Sequence, residues 1–231
     1  MAAIGGLAAG LAHEIRNPLA SISGSIEILK EERGNNPQKL RLMDIVLREV
    51  SRLNSLVEDF LLFARPSFPR KERIHLNQVV EEIIKMFTNN PDYSSGVEVT
   101  NESKDDLFIQ GDAQQIKQVF WNLIINAAQA MPSGGEVRVE LRKNSSLPLF
   151  PGLSQGEILI SDTGVGIKEE DMGRIFDPFF STKEDGTGLG LSIVHRIVEG
   201  HGGKVAVRSQ LGKGTSFTLF FPIEGTSLST D

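Results

Sequence analysis

Asn122-Leu123-Ile124-Ile125-Asn126, Asp162-Thr163-Gly164-Val165-Gly166 and Gly186-Thr187-Gly188-Leu189-Gly190 follow one another along the chain, and their order decides how the rest is read. The first sits on an apolar run, Val119 to Ile125, with its amides four residues apart and so stacked on one helix face. Buried amides need partners, since an unsatisfied polar group costs about 1–3 kcal/mol. Their carbonyl oxygens suit Mg²⁺, an ion otherwise held by phosphates. A pair of structural amides between helices would meet the same need. The second follows the strand-like Ile158–Ser161. A carboxylate there can accept from an exocyclic amine, and Gly164 and Gly166 let backbone approach a flat base; D-x-G-x-G is also a common turn. The third opens a helix-like segment whose free N–H groups and dipole favour phosphate. Lys183 adds a point charge nearby, although an isolated Lys is usually only solvated.

Upstream, residues 1–64 read as two long helices. In the second, Met43, Val46, Val50, Leu53, Val57, Phe60 and Ala64 alternate spacings of three and four, an a/d seam widened by Leu40, Leu47 and Leu61. In the first, Ile4, Leu7, Leu11, Ile15, Leu19, Ile22, Ile26 and Leu29 form the stripe, and Arg33-Gly34-Asn35-Asn36-Pro37 is the turn. Two helices cannot bury such stripes alone. A four-helix bundle made by two chains is the economical solution, a homodimer through residues 1–64; packing onto the chain's own remainder is the alternative.

Residues 65–73, with Pro66 and Pro69, read as a linker to a second domain, 74–223, followed by a tail, 224–231. Asn77 is expected to cap a helix to about Phe87, and Asp112 another ending near Met131. Strands are expected at Val97–Asn101, Leu107–Gln110, Val137–Leu141 and Ile158–Ser161, then a helix over Leu189–Glu199. Val205–Arg208 and Ser216–Phe221 should form a terminal hairpin. Residues 144–156 read as a surface loop. The order implies an α+β chain in two domains: a helical hairpin, then an α/β sandwich whose mixed sheet is covered on one face.

The chain's 231 residues, 39% hydrophobic and 23% charged, suit a soluble globular protein. A net charge of −6 argues against nucleic-acid binding, and the absence of Cys excludes disulfides, thiolate metal sites and Cys nucleophiles. It also suits a reducing, cytoplasmic setting. No apolar run approaches the roughly 20 residues of a membrane span. The opening, MAAIGGLAAGLAHEIRN, has no basic leader, and its apolar spacing continues past His13, against a signal peptide.

His13 lies off its helix's apolar stripe and shares a face with Ala9, Asn17 and Ala20. A helical His is more often structural, but this one is solvent-facing among small neighbours, open to a bulky phosphoryl donor. A neutral imidazole is nucleophilic without further activation. Pro18, mid-helix, should bend the segment locally. His75, His195 and His201 show no acidic or nucleophilic partner pattern and read as structural.

Taken together, Asn122–Asn126, Asp162–Gly166, Phe176-Asp177-Pro178-Phe179-Phe180 and Gly186–Gly190, preceded by His13-Glu14-Ile15-Arg16-Asn17-Pro18, resemble the sensor histidine kinases over nearly the whole chain. The resemblance implies a Bergerat-fold ATP domain and a kinase that autophosphorylates His13 from ATP, then passes the group to an aspartate of a response regulator. It implies Mg²⁺ on Asn126, adenine on Asp162, and a nucleotide site completed by Asn122, Gly164, Gly166, Ile167, Lys183, Gly186, Gly188, Leu189, Gly190 and Thr215. Glu14 would accept the His13 proton, a role that helical geometry alone would not select, since neighbours point about 100° apart. Asn17, one turn from His13, would position water for phosphatase activity toward the regulator. The short lid, Ser181–Asp185, and the His-box wording look most like the nitrogen-regulation subgroup. The short lead before His13 implies a core cut from a longer protein whose other parts could hold a sensor or membrane anchor.

Two other functions share this nucleotide fold. ATP-driven clamps hydrolyse ATP with a Glu four residues before the metal-binding Asn, and here that position is Asn122, an amide unable to accept a proton usefully. A non-catalytic dimerisation scaffold would tolerate degraded boxes, and these are intact.

Overall fold

The computed structural model describes Ile15 and residues 18–22, 24–26, 28–29, 37–64, 71–90, 96–144, 154–183 and 186–223. His13, Glu14, Asn17 and residues 33–36 lie outside these, as does the tail. The chain divides into two units, one of residues 1–67 with 177–189 and one of 68–176 with 190–231.

In the first unit, the described residues among 15–29 are helical, and α1 spans Pro37–Ala64. Pro37 opens it, where the missing N–H has no intrahelical acceptor to lose. Leu40, Met43, Leu47 and Val50 repeat at three and four along α1 and all stand exposed, Leu40 at 63% and Leu47 at 67%. Leu19 and Ile26 of the preceding helical stretch are exposed as well.

The second unit begins with β1 (Glu72–His75), α2 (Leu76–Thr88), β2 (Val97–Asn101), β3 (Phe108–Gly111) and α3 (Ala113–Gln129). It continues with β4 (Gly135–Asn144), β5 (Ser154–Asp162), α4 (Gly190–Gly200), β6 (Lys204–Gln210) and β7 (Gly214–Ile223). A five-stranded sheet has the order β2-β4-β5-β7-β6, with β2 parallel to β4 and the other pairs antiparallel. β1 and β3 make a separate antiparallel pair. Val137, Val139, Leu141, Ile158, Ile160, Phe217, Leu219 and Phe221 alternate along their strands and are buried together. α2, α3 and α4 answer with buried stripes at helical spacing, such as Ile116, Val119, Phe120, Leu123, Ile124 and Ala127 of α3. The opposite sheet face carries charges in pairs. Arg142 meets Glu157 at 3.1 Å, and the Arg138 side chain, hydrogen-bonded to Glu136 (2.7 Å), holds that carboxyl below its ordinary range. The expected mixed sheet covered on one face is the fold.

Four expectations need correction. β1 takes Glu72 and Arg73 from the segment read as linker; with Ile74 alone buried among its four residues, it is too short and too charged to show a period. The loop read at 144–156 loses Asn144 to β4 and residues 154–156 to β5, because Gln155 and Gly156 pair with Pro222 and Phe221 of the long final strand. Asp112 does cap α3, its carboxylate accepting from Gln114 and Gln115 N–H. Asn77 does not cap α2, which starts at Leu76 after His75. Its amide instead clamps the chain ahead of β3, donating to Asp105 O (3.0 Å) and accepting from Leu107 N–H (3.1 Å). Finally, His75 and His195 do have acidic partners, Asp106 at 3.1 Å and Glu199 at 3.4 Å.

His201 is structural in a specific way. Its ring is buried, Nε2 accepts from Asp112 N–H (3.0 Å) and Nδ1 donates to Ile197 O (2.7 Å). It therefore joins the end of α4 to the start of α3.

The two readings of Asn77 separate experimentally. Ser is as good a cap as Asn but too short to span Asp105 O and Leu107 N–H. Asn77→Ser should therefore destabilise the chain by about 1–3 kcal/mol in denaturant unfolding. A stability equal to wild type would restore the capping role.

Candidate nucleotide site

Asn122 and Asn126 lie on α3, as their spacing requires, and both face the opening of α4. Asn122 Nδ2 donates to Gly190 O (3.2 Å), and Asn126 Nδ2 stands 3.6 Å from where a Cβ of residue 190 would be. Asn122 is thus hydrogen-bonded to the first residue of α4, and Asn126 lies close beside it. Among the residues immediately before α4, Phe179 N–H donates to Gly188 O (3.0 Å), Leu189 N–H to Thr187 Oγ1 (3.4 Å), and Gly186 N–H to Lys183 O (3.3 Å). Gly188 has φ +67, and a Cβ there would collide with the Phe179–Phe180 peptide, so the close pairing of these two segments needs glycine. Lys183 closes a tight turn with Ser181, its N–H donating to Ser181 Oγ (3.0 Å) and its carbonyl accepting from that hydroxyl (3.1 Å).

Asp162 ends β5, and one of its oxygens, Oδ1, accepts from both Gly164 N–H (2.8 Å) and Thr215 N–H (3.2 Å). The loop after it is held at three further points. Val165 N–H donates to Ala130 O, Gly212 N–H donates to Val165 O, and Ile167 N–H donates to Ser209 Oγ (2.8 Å). Gly166, at φ +73, passes so near the Gln210 carbonyl that any Cβ would overlap it. Glycine is required here by the protein's own β6–β7 turn, whatever approaches from outside.

Asp162 and Thr215 also line a hollow of about 330 Å³, together with Ser209, Gln210, Gly214, Ser216 and the cations Arg208 and Lys213. That is within the size range of small-molecule pockets. No group of three or more His, Cys, Asp or Glu that could hold a metal occurs among the described residues. An amide oxygen with phosphate oxygens remains a fitting donor set for Mg²⁺.

Sequence reasoning missed Ser209. Its hydroxyl meets Ile167 N–H, Gly214 O (3.1 Å) and Thr215 Oγ1 (2.9 Å), yet a small polar residue inside a strand carries no motif signal. Only the cross-strand register Ser209↔Thr215 reveals it.

The chain is similar to known proteins. Residues 111–225 match the family described as histidine kinase-, DNA gyrase B- and HSP90-like ATPase, and residues 3–68 match the His Kinase A (phospho-acceptor) domain. Sporulation kinase C of Bacillus subtilis is 36% identical over 96% of this chain and 49% of its own length. The chain spans about half or less of the curated relatives it matches. A structure of histidine kinase ThkA in complex with response regulator protein TrrA aligns at TM-score 0.77 and 27% identity, covering 95% of this chain and 61% of that one. Full-length ShkA in complex with AMPPNP aligns at TM-score 0.67 and 26% identity, covering 94% and 45%.

The geometry around Asp162 yields a stability test. Asp162→Asn keeps Oδ1 as an acceptor for both N–H groups and should melt close to wild type. Asp162→Ala strands both donors and should lose about 1–3 kcal/mol, a drop of several degrees in melting temperature. Equal losses would mean that charge, not the shared oxygen, holds the loop.

Proposed function

The chain belongs to the histidine kinases, as a core joining a phospho-acceptor region to an ATPase-type domain, and from that premise we propose that it autophosphorylates His13 from ATP. A ring nitrogen of His13 attacks the γ-phosphorus; the P–N bond forms, the bond to the β,γ-bridging oxygen breaks, and ADP leaves. Glu14 takes the imidazole proton. An aspartate carboxylate of a response regulator then attacks the same phosphorus, breaking the P–N bond and returning the phosphoryl group to oxygen. The bond from the Asn122 amide to Gly190 O carries this reading, because it holds the amide face of α3 against the helix opening expected to receive phosphates.

Asp162 would accept from the adenine amine, with Gly164, Gly166, Ile167 and Thr215 around the base. Lys183, Gly186, Gly188, Leu189 and Gly190 would serve the phosphates. Mg²⁺ would sit on the Asn126 carbonyl oxygen and supply charge neutralisation at the triphosphate. Residues 1–64 would form the phosphotransfer hairpin, 65–71 a linker, and 72–223 the ATP-binding domain. The short lid and the His box favour a place near the nitrogen-regulation subgroup.

Incubation with γ-labelled ATP should give an acid-labile label. His13→Gln should abolish it while leaving nucleotide affinity nearly intact; retained labelling would remove His13 as the acceptor. Asn17→Ala should spare autophosphorylation and slow regulator dephosphorylation. Equal loss of both rates with a lower melting temperature would make Asn17 structural.

The exposed α1 stripe supports a homodimer. Leu47 and Val50 stand in solvent within one chain, so Asp at both should be tolerated by a monomer. Buried against a partner, each charge would cost several kcal/mol. Light scattering should show the double variant as a monomer and wild type as a dimer; an unaltered mass would place the interface elsewhere.

A further inference from the structure

We propose that Ser209 sets the base specificity of the nucleotide site by fixing the direction in which the Thr215 hydroxyl hydrogen-bonds. The proposal rests on the reading of Asp162 and Thr215 as the adenine end of that site.

A serine hydroxyl has one proton to give and two lone pairs to receive with. Ser209 Oγ receives from Ile167 N–H at 2.8 Å and lies 3.1 Å from Gly214 O, which can only accept. Its third neighbour is Thr215 Oγ1 at 2.9 Å, and between two hydroxyls either one can donate. If Ser209 gave its proton to Thr215, Gly214 O would lose this donor. If Ser209 gives it to Gly214 O, the remaining lone pair receives the Thr215 proton. In this arrangement the single donor and both acceptors of Ser209 are used and no neighbour competes for them. Thr215 and Gly214 are both buried, which makes a wasted partner costly.

The consequence falls on Thr215. With its proton committed to Ser209, its oxygen offers only lone pairs to anything in the hollow that it lines with Asp162. An ionised Asp162 is also an acceptor, and its Oδ1 is already held by Gly164 and Thr215 N–H. Two acceptors side by side favour a base edge that presents N–H donors, the 6-amino group of adenine. They repel the 6-oxo group of hypoxanthine, which would set oxygen against oxygen. Ser209 itself need not touch the base. It acts as a positioning residue, and the same hydroxyl pins the loop at Ile167.

The test compares ATP and inosine triphosphate, which differ at that position of the base, by calorimetric titration of the full chain with Mg²⁺. Wild type should prefer ATP. Ser209→Ala frees the Thr215 proton to point at the base and should shrink the ratio of affinities by roughly three- to tenfold, while Ser209→Thr, which keeps the hydroxyl, should restore it. Loss of stability alone would weaken both nucleotides together and leave the ratio standing. Thr215→Val provides a second arm should Ser209→Ala fold poorly: removing the acceptor should cost ATP affinity and spare inosine triphosphate. An unchanged ratio in folded Ser209→Ala, or in Thr215→Val, would overturn the assignment. Wild type binding neither nucleotide would overturn the reading beneath it, and the Ser209 role with it.

Discussion

Asp162 Oδ1 accepts two backbone N–H groups from segments far apart in sequence, Gly164 just after β5 and Thr215 at the start of β7. One atom therefore closes the end of the sheet, and what surrounds it follows. The loop 163–167 must turn back over the β6–β7 turn, Gly166 must slip past the Gln210 carbonyl, and Ile167 must reach Ser209. The Asp162 side chain and the loop that frames it are thus one hydrogen-bonded object, so a substitution that merely disturbs the loop will also displace the carboxylate.

At the other end of the same unit, Asn122 ties α3 to the opening of α4. A glycine-rich run ahead of a helix has little to hold it in place by itself, since glycines give up much conformational entropy on ordering. Anchoring the following turn to a packed helix limits that freedom to the few residues before Gly190. Residues 177–189 fall in the first unit, so the chain leaves the second unit after Phe176 and re-enters it at Gly190.

Much of this was legible beforehand where a side chain's role is settled by its neighbours in sequence. Asp112 before an apolar helical run could only be a cap, and the α3 stripe follows from spacing alone. Asn77 was misread because a capping residue and a long-range clamp look alike in sequence; the deciding partners, Asp105 O and Leu107 N–H, lie about thirty residues away. The end of β5 ran past its apolar core because β7 is ten residues long and pairs with whatever lies opposite, Gln155 and Gly156 included, and β4 follows because Asn144 pairs with Gln155. His75 and His195 gained acidic partners for the same reason in miniature, a loop in one case and the next helical turn in the other. Ser209 was silent because its importance is a matter of proton accounting in three dimensions.

His201 links two segments that neither motif nor period would associate. Its Nε2 holds the Asp112 amide across a separation of 89 residues, while its Nδ1 is anchored within its own helix at Ile197. The amide proton at the start of α3 is therefore shielded by the far end of α4, and it can trade with solvent only when that ring swings away. Opening at the two places is a single event. Fraying of the last turn of α4 would be felt at once beneath the helix that carries both amides, which makes the C-terminal end of α4 a latch on the α3 end of the site.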